Sequence, residues 1–239
     1  MRSMRLSVIV PTYNERDSLP HLLARLRAVQ EQVGLEVVVV DDASPDGTGE
    51  LADGFARDGT LPVVVVHRGG KGGLASAAID GARASHGEFV SVMDADLSHP
   101  PELLPDLARA LAQGADVAVA SRYIPGGGIE DWPMPRRAAS RTATWLARAV
   151  LGLRVHDPLS GYFAARRELL THGPYMGIGY KLLVEVLATH PRARVVEVPY
   201  RFIDRAHGTS KLSGGEVLDY LRLLLMLRVK GRPWNSAPS

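Results

Sequence analysis

Short β-branched runs alternate with amphipathic stretches through the first half of the chain, and this alternation restricts the fold most strongly. The runs are apolar at nearly every position, which is typical of strands buried on both faces of a parallel sheet. The predicted strands are Leu6–Val10, Val37–Val40, Val63–Val66, Phe89–Met93 and Val117–Ala120. The predicted helices between them are Leu19–Val29, Thr48–Arg57, Leu74–Ser85 and Glu102–Ala112. This order predicts an α/β fold with a mostly parallel central sheet that is flanked by helices.

The second half of the chain is less regular, because the alternation ends near Arg122. After a loop rich in Gly and Pro, the predicted elements are a helix at Arg137–Leu151, an irregular segment at 157–162, a helix at 180–189, a strand at Val195–Pro199 and a helix at Glu216–Val229. No repeat or low-complexity linker divides the sequence. We therefore predict one domain over 1–229, with halves at 5–122 and 123–229, and a flexible tail at 230–239.

Composition excludes several classes of protein. The chain has no cysteine, so disulfides, thiolate metal sites and cysteine nucleophiles are excluded. A net charge of +2 is too small to indicate a nucleic-acid partner. The longest run without Asp, Glu, Lys or Arg has 12 residues, Leu169 to Tyr180, whereas a spanning helix needs about 20 apolar residues. The N-terminus also lacks the apolar stretch of a signal peptide.

Two carboxylates follow the predicted fourth strand immediately, at Asp94 and Asp96. In extended chain this spacing turns both side chains to one side, where they repel each other unless a cation lies between them. Mg²⁺ or Mn²⁺ with phosphate oxygens would suit such a pair. The alternative is that Asp94 caps a turn and Asp96 points into solvent. The position after a buried strand favours the metal.

Polar segments also follow the other predicted strands, and ligands of open α/β sheets bind at these strand ends. Asp41 and Asp42 end the second strand, where Asp42 suits a ribose or base and an Asx turn is the alternative. The glycines around Lys71 match neither a Walker A loop nor a dinucleotide fingerprint, which argues against an NAD or FAD domain. They favour a flexible turn or a close approach to a phosphate.

A second group of candidate residues is basic: Arg122, Arg136, Arg137, Arg205 and Lys211. Fixed cations in polar loops suit a diphosphate leaving group, whereas Arg136 and Arg137 also fit a solvated helix start. The helix at Glu216–Val229 is apolar over most of its surface. It suits a core or subunit contact, or alternatively a membrane interface or an integral-membrane partner.

With these residues assembled, the sequence resembles the family 2 glycosyltransferases of GT-A fold, and within them the dolichyl- and polyprenyl-phosphate mannose synthases. The resemblance covers roughly residues 5 to 228. The matching segments are Val8–Glu15, Val40–Thr48, Met93–Pro101, Ser121–Gly127, Asp157–Gly161, Gly179–Lys181 and the Glu197–Lys211 region. Arg122 and the Asp204–Lys211 loop are the most specific to the lipid-phosphate branch.

The resemblance implies a role for each matched residue. The nucleotide-sugar ligands would be Pro11, Tyr13, Glu15, Val40, Asp42, Asp94, Ala95, Asp96, Arg205 and Lys211. Asp94 and Asp96 would hold Mg²⁺ or Mn²⁺, and Arg122, Arg136 and Ser140 would receive the acceptor phosphate. Asp96, Arg122, Arg205 and Lys211 would support the chemistry. Ser98 stands where some relatives have a glutamine beside the metal.

The implied activity is an inverting, metal-dependent transfer of mannose from GDP-mannose to a polyprenyl phosphate. An acceptor that is already anionic needs no strong general base, so cations must bring the two anions together. The alternatives are another nucleotide sugar such as UDP-glucose, a saccharide or small-molecule acceptor, or a non-catalytic subunit that binds a nucleotide sugar. Some relatives continue into transmembrane helices, whereas this chain ends at Ser239. We therefore expect a peripheral protein on the cytoplasmic face of the membrane, alone or held by an integral partner.

Overall fold

A computed structural model describes residues 6–177, 181–203 and 214–230. Its strands are β1 (Leu6–Thr12), β2 (Leu35–Asp41), β3 (Val63–His67), β4 (Phe89–Val92), β5 (Val117–Ser121), β6 (Gly128–Ile129), β7 (Phe163–Arg166), β8 (Val195–Pro199) and β9 (Arg201–Phe202). Its helices are α1 (Leu19–Val33), α2 (Thr48–Asp58), α3 (Leu74–Ala84), α4 (Leu104–Ala112), α5 (Met134–Leu151), α6 (Arg167–Thr171), α7 (Leu182–Thr189) and α8 (Gly214–Lys230). A 3₁₀ turn at Pro101–Leu103 precedes α4.

A seven-stranded sheet in the order β3-β2-β1-β4-β7-β5-β8 forms the centre of the fold. Strands β1 to β4 pair in parallel, as do β5 and β8, whereas β7 is antiparallel to both β4 and β5. Strands β6 and β9 form a separate parallel pair. The predicted α/β fold with a mostly parallel sheet and flanking helices is therefore confirmed.

The core consists of two apolar layers, one on each face of the sheet. Val8 packs with the helices α1, α2 and α4, whereas the next residue, Ile9, packs with α3, α6 and α7. This alternation follows from the two-residue period of side chains along a strand. A third, smaller cluster joins α5, α7 and α8 through residues such as Ala147, Val184 and Leu224.

The structure departs from the sequence predictions at β1 and β7, and the short elements β6, β9 and α6 were not predicted either. Strand β1 continues beyond its predicted end at Val10 and includes Pro11. The strand tolerates this proline because the pairing with β4 has already ended at Ile9 and Pro11 borders only β2. Strand β7 was not predicted, since Phe163–Arg166 is short and has no β-branched residue. Residues 178–180, which include the predicted start of the helix at 180–189, and most of the predicted tail, 231–239, lie outside the described residues.

No helix in the described part of the chain combines the length and the apolar character that crossing a bilayer requires.

Candidate functional site

The carboxyl ends of six strands meet at one edge of the sheet. Strands β1, β2, β3, β4, β5 and β8 run in the same direction, and β7 runs opposite to them. The loops that follow these six strands therefore share an edge with the segment that precedes β7. Such an edge is where ligands of open α/β sheets bind.

The loops after β1 and β2 are joined by hydrogen bonds. The Asn14 N–H donates to Ser44 Oγ at 3.0 Å, and the Glu15 N–H donates to Thr48 Oγ1 at 3.0 Å. Asn14 and Ala43 both have positive φ angles, 59° and 55°. Non-glycine residues in this conformation are strained and concentrate at functional sites. The inter-loop bonds hold both turns in place.

Tyr13 presents an aromatic face at this edge. Its side chain is partly exposed, and Lys71 Nζ lies 3.9 Å from the ring centroid. Lys71 belongs to the glycine-rich loop after β3, so this contact joins the first and third loops. Pro11 is half buried beside them, whereas the side chain of Val40 is fully buried in the core. Any contact of Val40 with a ligand would therefore involve only its backbone.

The two carboxylates after β2 have different surroundings. Asp41 accepts hydrogen bonds from Thr12 Oγ1 at 3.0 Å and from the N–H of Ser44 at 3.0 Å. Asp41 therefore closes the turn after β2, in agreement with the alternative interpretation of this segment as an Asx turn.

Asp42, directly after β2, is buried beside the start of α3 and accepts three hydrogen bonds. Arg68 Nη1 donates to Oδ1 at 2.6 Å, and the N–H groups of Gly72 and Gly73 donate to Oδ2 at 3.1 Å. A ribose hydroxyl that bound Asp42 would therefore donate to a carboxylate that already accepts three hydrogen bonds from Arg68 and the glycine-rich loop. Arg68 was missed in the sequence analysis, although a cation directly after a buried strand is the signal that could have identified it.

The loop after β4 carries the two predicted metal ligands. The Asp94 N–H donates to His99 Nδ1 at 2.9 Å. Asp96 Oδ1 accepts from the N–H and the hydroxyl of Ser98, at 3.0 and 2.6 Å. Leu97 between them has a φ of +65°. The loop is therefore a strained turn that its own side chains close, and Ala95 is buried beneath it.

His99 fixes this loop against an aromatic cluster. Its ring is buried, stacks on Tyr162 at 5.0 Å between centroids, and meets the edges of Tyr200 and Phe202 at 6.4 and 6.3 Å. Because Nδ1 accepts a hydrogen bond, a neutral ring carries its proton on Nε2. Burial raises the pKa of Tyr200, so this phenol stays neutral beside the acidic loop. The sequence analysis did not identify this positioning role of His99.

The carboxylates of Asp94 and Asp96 fit a hard divalent cation. Both supply oxygen donors, which Mg²⁺ and Mn²⁺ prefer. Among the described residues, no group of three or more His, Asp or Glu side chains could hold a metal by itself. A metal here would therefore need oxygen atoms from a ligand to complete its coordination, as a diphosphate can supply. Ser98 hydrogen-bonds to Asp96 and so orients this carboxylate.

Arg122 follows β5 and forms a buried ion pair with Asp157. Its Nε and Nη2 donate to the two carboxylate oxygens at 2.7 and 2.8 Å, and its backbone N–H donates at 3.0 Å. The Arg122 side chain is 8% exposed and that of Asp157 is fully buried. Burial alone would lower the pKa of Arg122, but the hydrogen bonds and charge of Asp157 raise it above its ordinary value. Arg122 is therefore a permanent cation in a fixed orientation.

Glu197 on β8 positions the segment that contains Asp157. The Glu197 carboxylate accepts hydrogen bonds from the backbone N–H groups of His156 and Asp157 at 2.9 and 3.0 Å. His156 Nδ1 also lies 2.7 Å from Glu197 Oε2. Burial would raise the pKa of Glu197, but these hydrogen bonds and one from Ser121 lower it. A chain of contacts thus runs from Glu197 through Asp157 to Arg122.

Arg122 and the acidic loop lie on the same side of the molecule. The ring of Phe202 has its centroid 5.9 Å from Arg122 Cζ and 6.3 Å from the ring of His99, which holds Asp94. Strands β4 and β5 are separated only by β7. The acidic loop and the Arg122 guanidinium therefore lie near each other at one edge of the sheet.

A cavity of about 250 Å³ extends from Arg122 toward α5. It is lined by Arg122, Tyr123, Gly127, Gly128, Ile129, Arg137 and Arg141. Three guanidinium groups and no carboxylate border this space, so it favours an anion.

The two predicted acceptor residues on α5 lie beside this cavity. Arg136 stacks on Trp132, with Cζ 4.0 Å from the ring centroid, and the Ser140 hydroxyl accepts from Tyr123 Oη at 2.8 Å. Arg137 and Arg141, rather than Arg136 and Ser140, line the cavity itself. Arg141 was missed in the sequence analysis. Its spacing of four residues from Arg137 in a predicted helix is the signal that could have identified it. Arg205 and Lys211 lie outside the described residues.

Comparisons with known proteins identify a matching family and several similar proteins. A family model described as "Glycosyl transferase family 2" matches residues 7–173. A dolichol-phosphate mannosyltransferase of Pyrococcus furiosus is 43% identical over 94% of this chain, which spans 64% of that relative's length. A polyprenol monophosphomannose synthase of Mycolicibacterium smegmatis is 40% identical over 96% of this chain and 89% of its own.

Solved structures agree on the fold. Glucosyl-3-phosphoglycerate synthase from Mycobacterium tuberculosis, in complex with Mn²⁺, UDP-glucose and phosphoglyceric acid, superposes with a TM-score of 0.67. The comparison covers 95% of this chain and 79% of the synthase at 23% sequence identity. At this identity the likeness shows the shared architecture alone.

Proposed function

Because this chain belongs to glycosyl transferase family 2, we propose that it transfers mannose from GDP-mannose to a polyprenyl phosphate of the dolichyl type. The product would be a polyprenyl β-mannosyl phosphate. The observation that carries the proposal is that the loop of Asp94 and Asp96 and the buried guanidinium of Arg122 lie at the same edge of the sheet, both close to Phe202. The names of the Pyrococcus and Mycolicibacterium relatives support the choice of sugar and lipid.

The donor would lie over the ends of β1, β2 and β4. The Tyr13 ring and the Asp42 carboxylate would contact the guanosine, and Glu15 and Pro11 would line the same loop. Asp94 and Asp96 would hold Mg²⁺ or Mn²⁺ against the diphosphate. When bound, this ion would offset the negative charge that develops on departing GDP. Arg205 and Lys211 would contribute further positive charge, a proposal that rests on the resemblance alone.

The acceptor phosphate would enter the cavity beside α5. Arg122 presents the edge of its guanidinium that Asp157 does not occupy, and Arg137 and Arg141 border the same space. Arg136 and Ser140, which the resemblance implies, lie next to it on α5. These cations would hold the phosphate near the anomeric carbon despite its repulsion from the diphosphate. In-line attack by a phosphate oxygen then breaks the bond to GDP and inverts the anomeric centre.

The same geometry explains why the cleft needs no strong general base. A phosphate monoester is an anion near neutral pH, so no proton has to be removed before attack. The principal task of the protein is to hold two anions in line. The rigid support of Arg122 by Asp157 and Glu197 suits this task, because misplacement by about 1 Å can reduce a rate by about 10²-fold.

The acceptor also implies work at a membrane surface, on the cytoplasmic face where a GDP-sugar donor would be available. Helix α8 packs on the rest of the protein through Leu223, Leu224 and Leu227, and leaves Leu225 and Val229 exposed. Trp145 on α5 is exposed as well. Amphipathic helices with such exposed residues can rest in the headgroup region. We propose peripheral binding, either alone or with an integral-membrane partner.

The direct test is a transfer assay. The purified full chain would be incubated with polyprenyl phosphate, Mg²⁺ or Mn²⁺ and labelled GDP-mannose, and the lipid would then be extracted into organic solvent. We expect labelled glycolipid only when donor, acceptor and metal are all present. Label from UDP-glucose in place of GDP-mannose would reject the donor. Absence of glycolipid with every nucleotide sugar would reject the proposed function.

A further inference from the structure

A second cavity continues the first one along α5, and most of the residues that line it have no part in the proposed transfer reaction. It measures about 320 Å³ and is lined by Tyr123, Arg141, Thr144, Trp145, Arg148 and His156. Tyr123 and Arg141 line both cavities. The second cavity is therefore a separate space that adjoins the acceptor side of the cleft.

One face of α5 supplies its cationic wall. Arg141, Thr144 and Arg148 are spaced by three and four residues, so their side chains lie above one another on the helix. No carboxylate lines the cavity. Within residues 6–177, 181–203 and 214–230, neither Arg141 nor Arg148 forms an ion pair. Two guanidinium groups thus face a common space without a counter-ion from the described residues of the protein.

Two buried polar atoms in this wall have no hydrogen-bond partner in the described part of the chain. One is Oγ1 of Thr144, a residue that is only 6% exposed, and the other is Nε of Arg148. Buried polar atoms are nearly always satisfied by protein, water or a ligand. Both belong to residues that line the cavity, so an oxygen-rich ligand there would satisfy them.

His156 forms the opposite wall and is held in place by Glu197. Its Nδ1 lies 2.7 Å from Glu197 Oε2, and its backbone N–H donates to the same oxygen at 2.9 Å. Because Nδ1 is engaged with the carboxylate, Nε2 is the ring nitrogen that remains for a ligand. The walls therefore combine two guanidinium groups, a hydroxyl and an imidazole.

We propose that this cavity binds a phosphate group through Arg141, Arg148 and Thr144. Guanidinium forks and a hydroxyl that approach from different directions match the oxygens of a tetrahedral dianion better than a planar carboxylate. The site goes beyond the transfer reaction, because Thr144 and Arg148 have no part in it and, of the three, only Arg141 borders both cavities. The phosphate could belong to a soluble ion or to an anionic lipid headgroup, and both present the same chemistry.

Trp145 allows binding to be observed at the cavity itself. The full chain, without nucleotide, would be titrated with inorganic phosphate and, separately, with phosphatidylcholine vesicles that contain or lack phosphatidic acid. We expect a saturable change in tryptophan emission that disappears in Trp145→Phe. Thr144→Val should weaken binding about fivefold and Arg148→Met about tenfold or more, because each removes one hydrogen-bonding group. Arg109→Met on α4 is the matched control for loss of one exposed positive charge.

The two arms of the titration distinguish the sources of phosphate. Saturation by inorganic phosphate identifies a soluble anion site, whereas a response only to vesicles with phosphatidic acid identifies a headgroup site. Wild-type affinity in both Thr144→Val and Arg148→Met would overturn the proposal, as would equal weakening by Arg109→Met. Thr144→Val preserves the side-chain shape, so it decides the question even if Arg148→Met fails to fold.

Discussion

The ion pair between Arg122 and Asp157 allows a quantitative test of how the cleft is built. In Asp157→Asn the side-chain shape is preserved, but the buried guanidinium loses its counter-charge. Because the two side chains are 8% and 0% exposed, solvent cannot replace the lost partner. Breaking a buried pair in this way costs about 3–5 kcal/mol. For a chain of this size that loss lowers the melting temperature by about 6–20 °C.

The assay is thermal unfolding followed by circular dichroism, on the wild type, Asp157→Asn, Arg122→Met and the double variant Arg122→Met/Asp157→Leu. The double variant should be more stable than either single variant, because it leaves no uncompensated charge in the interior. The transfer assay should show loss of activity in all three variants. A melting temperature for Asp157→Asn within about 2 °C of wild type would refute the reasoning, since the smallest expected loss is larger. A double variant less stable than both single variants would refute it equally.

Three further predictions concern the cleft and the opposite sheet edge. Arg122→Ala should lower the rate of mannose transfer by at least about 10²-fold, whereas GDP affinity, measured by calorimetry below the melting temperature, should stay within about twofold. A comparable loss of GDP affinity would contradict the separation of the donor and acceptor sites. Asp96→Ala should abolish metal-dependent turnover, and unchanged activity in Mn²⁺ would remove the metal assignment. Burial would raise the pKa of Glu36, but hydrogen bonds from Ser7 and His86 lower it below its ordinary 4.5. The ionised Glu36 carboxylate therefore stabilises the protein above pH 4.5, and this stabilisation is lost as the pH falls below that value. Glu36→Gln should lower the free energy of unfolding, measured with urea, at pH 7 and much less at pH 3. An equal decrease at both pH values would contradict this prediction.

Much of the first half of the fold could be predicted from the sequence. The strands from Leu6 to Ser121 and the helices between them lie within about two residues of their predicted bounds, apart from the longer end of α1. This success has a local cause, because a run such as Val37–Val40 can be buried on both faces only in a covered sheet. The placement of Asp94 and Asp96 after β4 follows for the same reason.

The contacts that complete the site could not be predicted in this way. Arg122 and Asp157 are 35 residues apart, and no periodicity in the sequence joins them. Arg68 reaches Asp42 only because α3 begins beside the end of β2. The part played by His99 depends on Tyr162, Tyr200 and Phe202, which come from two later segments of the chain.

The amino-acid sequence by itself determined which segments become strands and helices, and which chemical groups stand at the strand ends, because both depend on local hydrophobic pattern and turn chemistry. Only the tertiary structure decided the insertion of β7 between β4 and β5. That insertion brings Asp157 to the edge where Arg122 lies. The hydrogen bond from Tyr123 to Ser140 holds α5 beside this edge, where its arginines border two cavities. The physical reason is that strand order and side-chain pairing minimise the free energy of the whole packed core, to which distant residues contribute together.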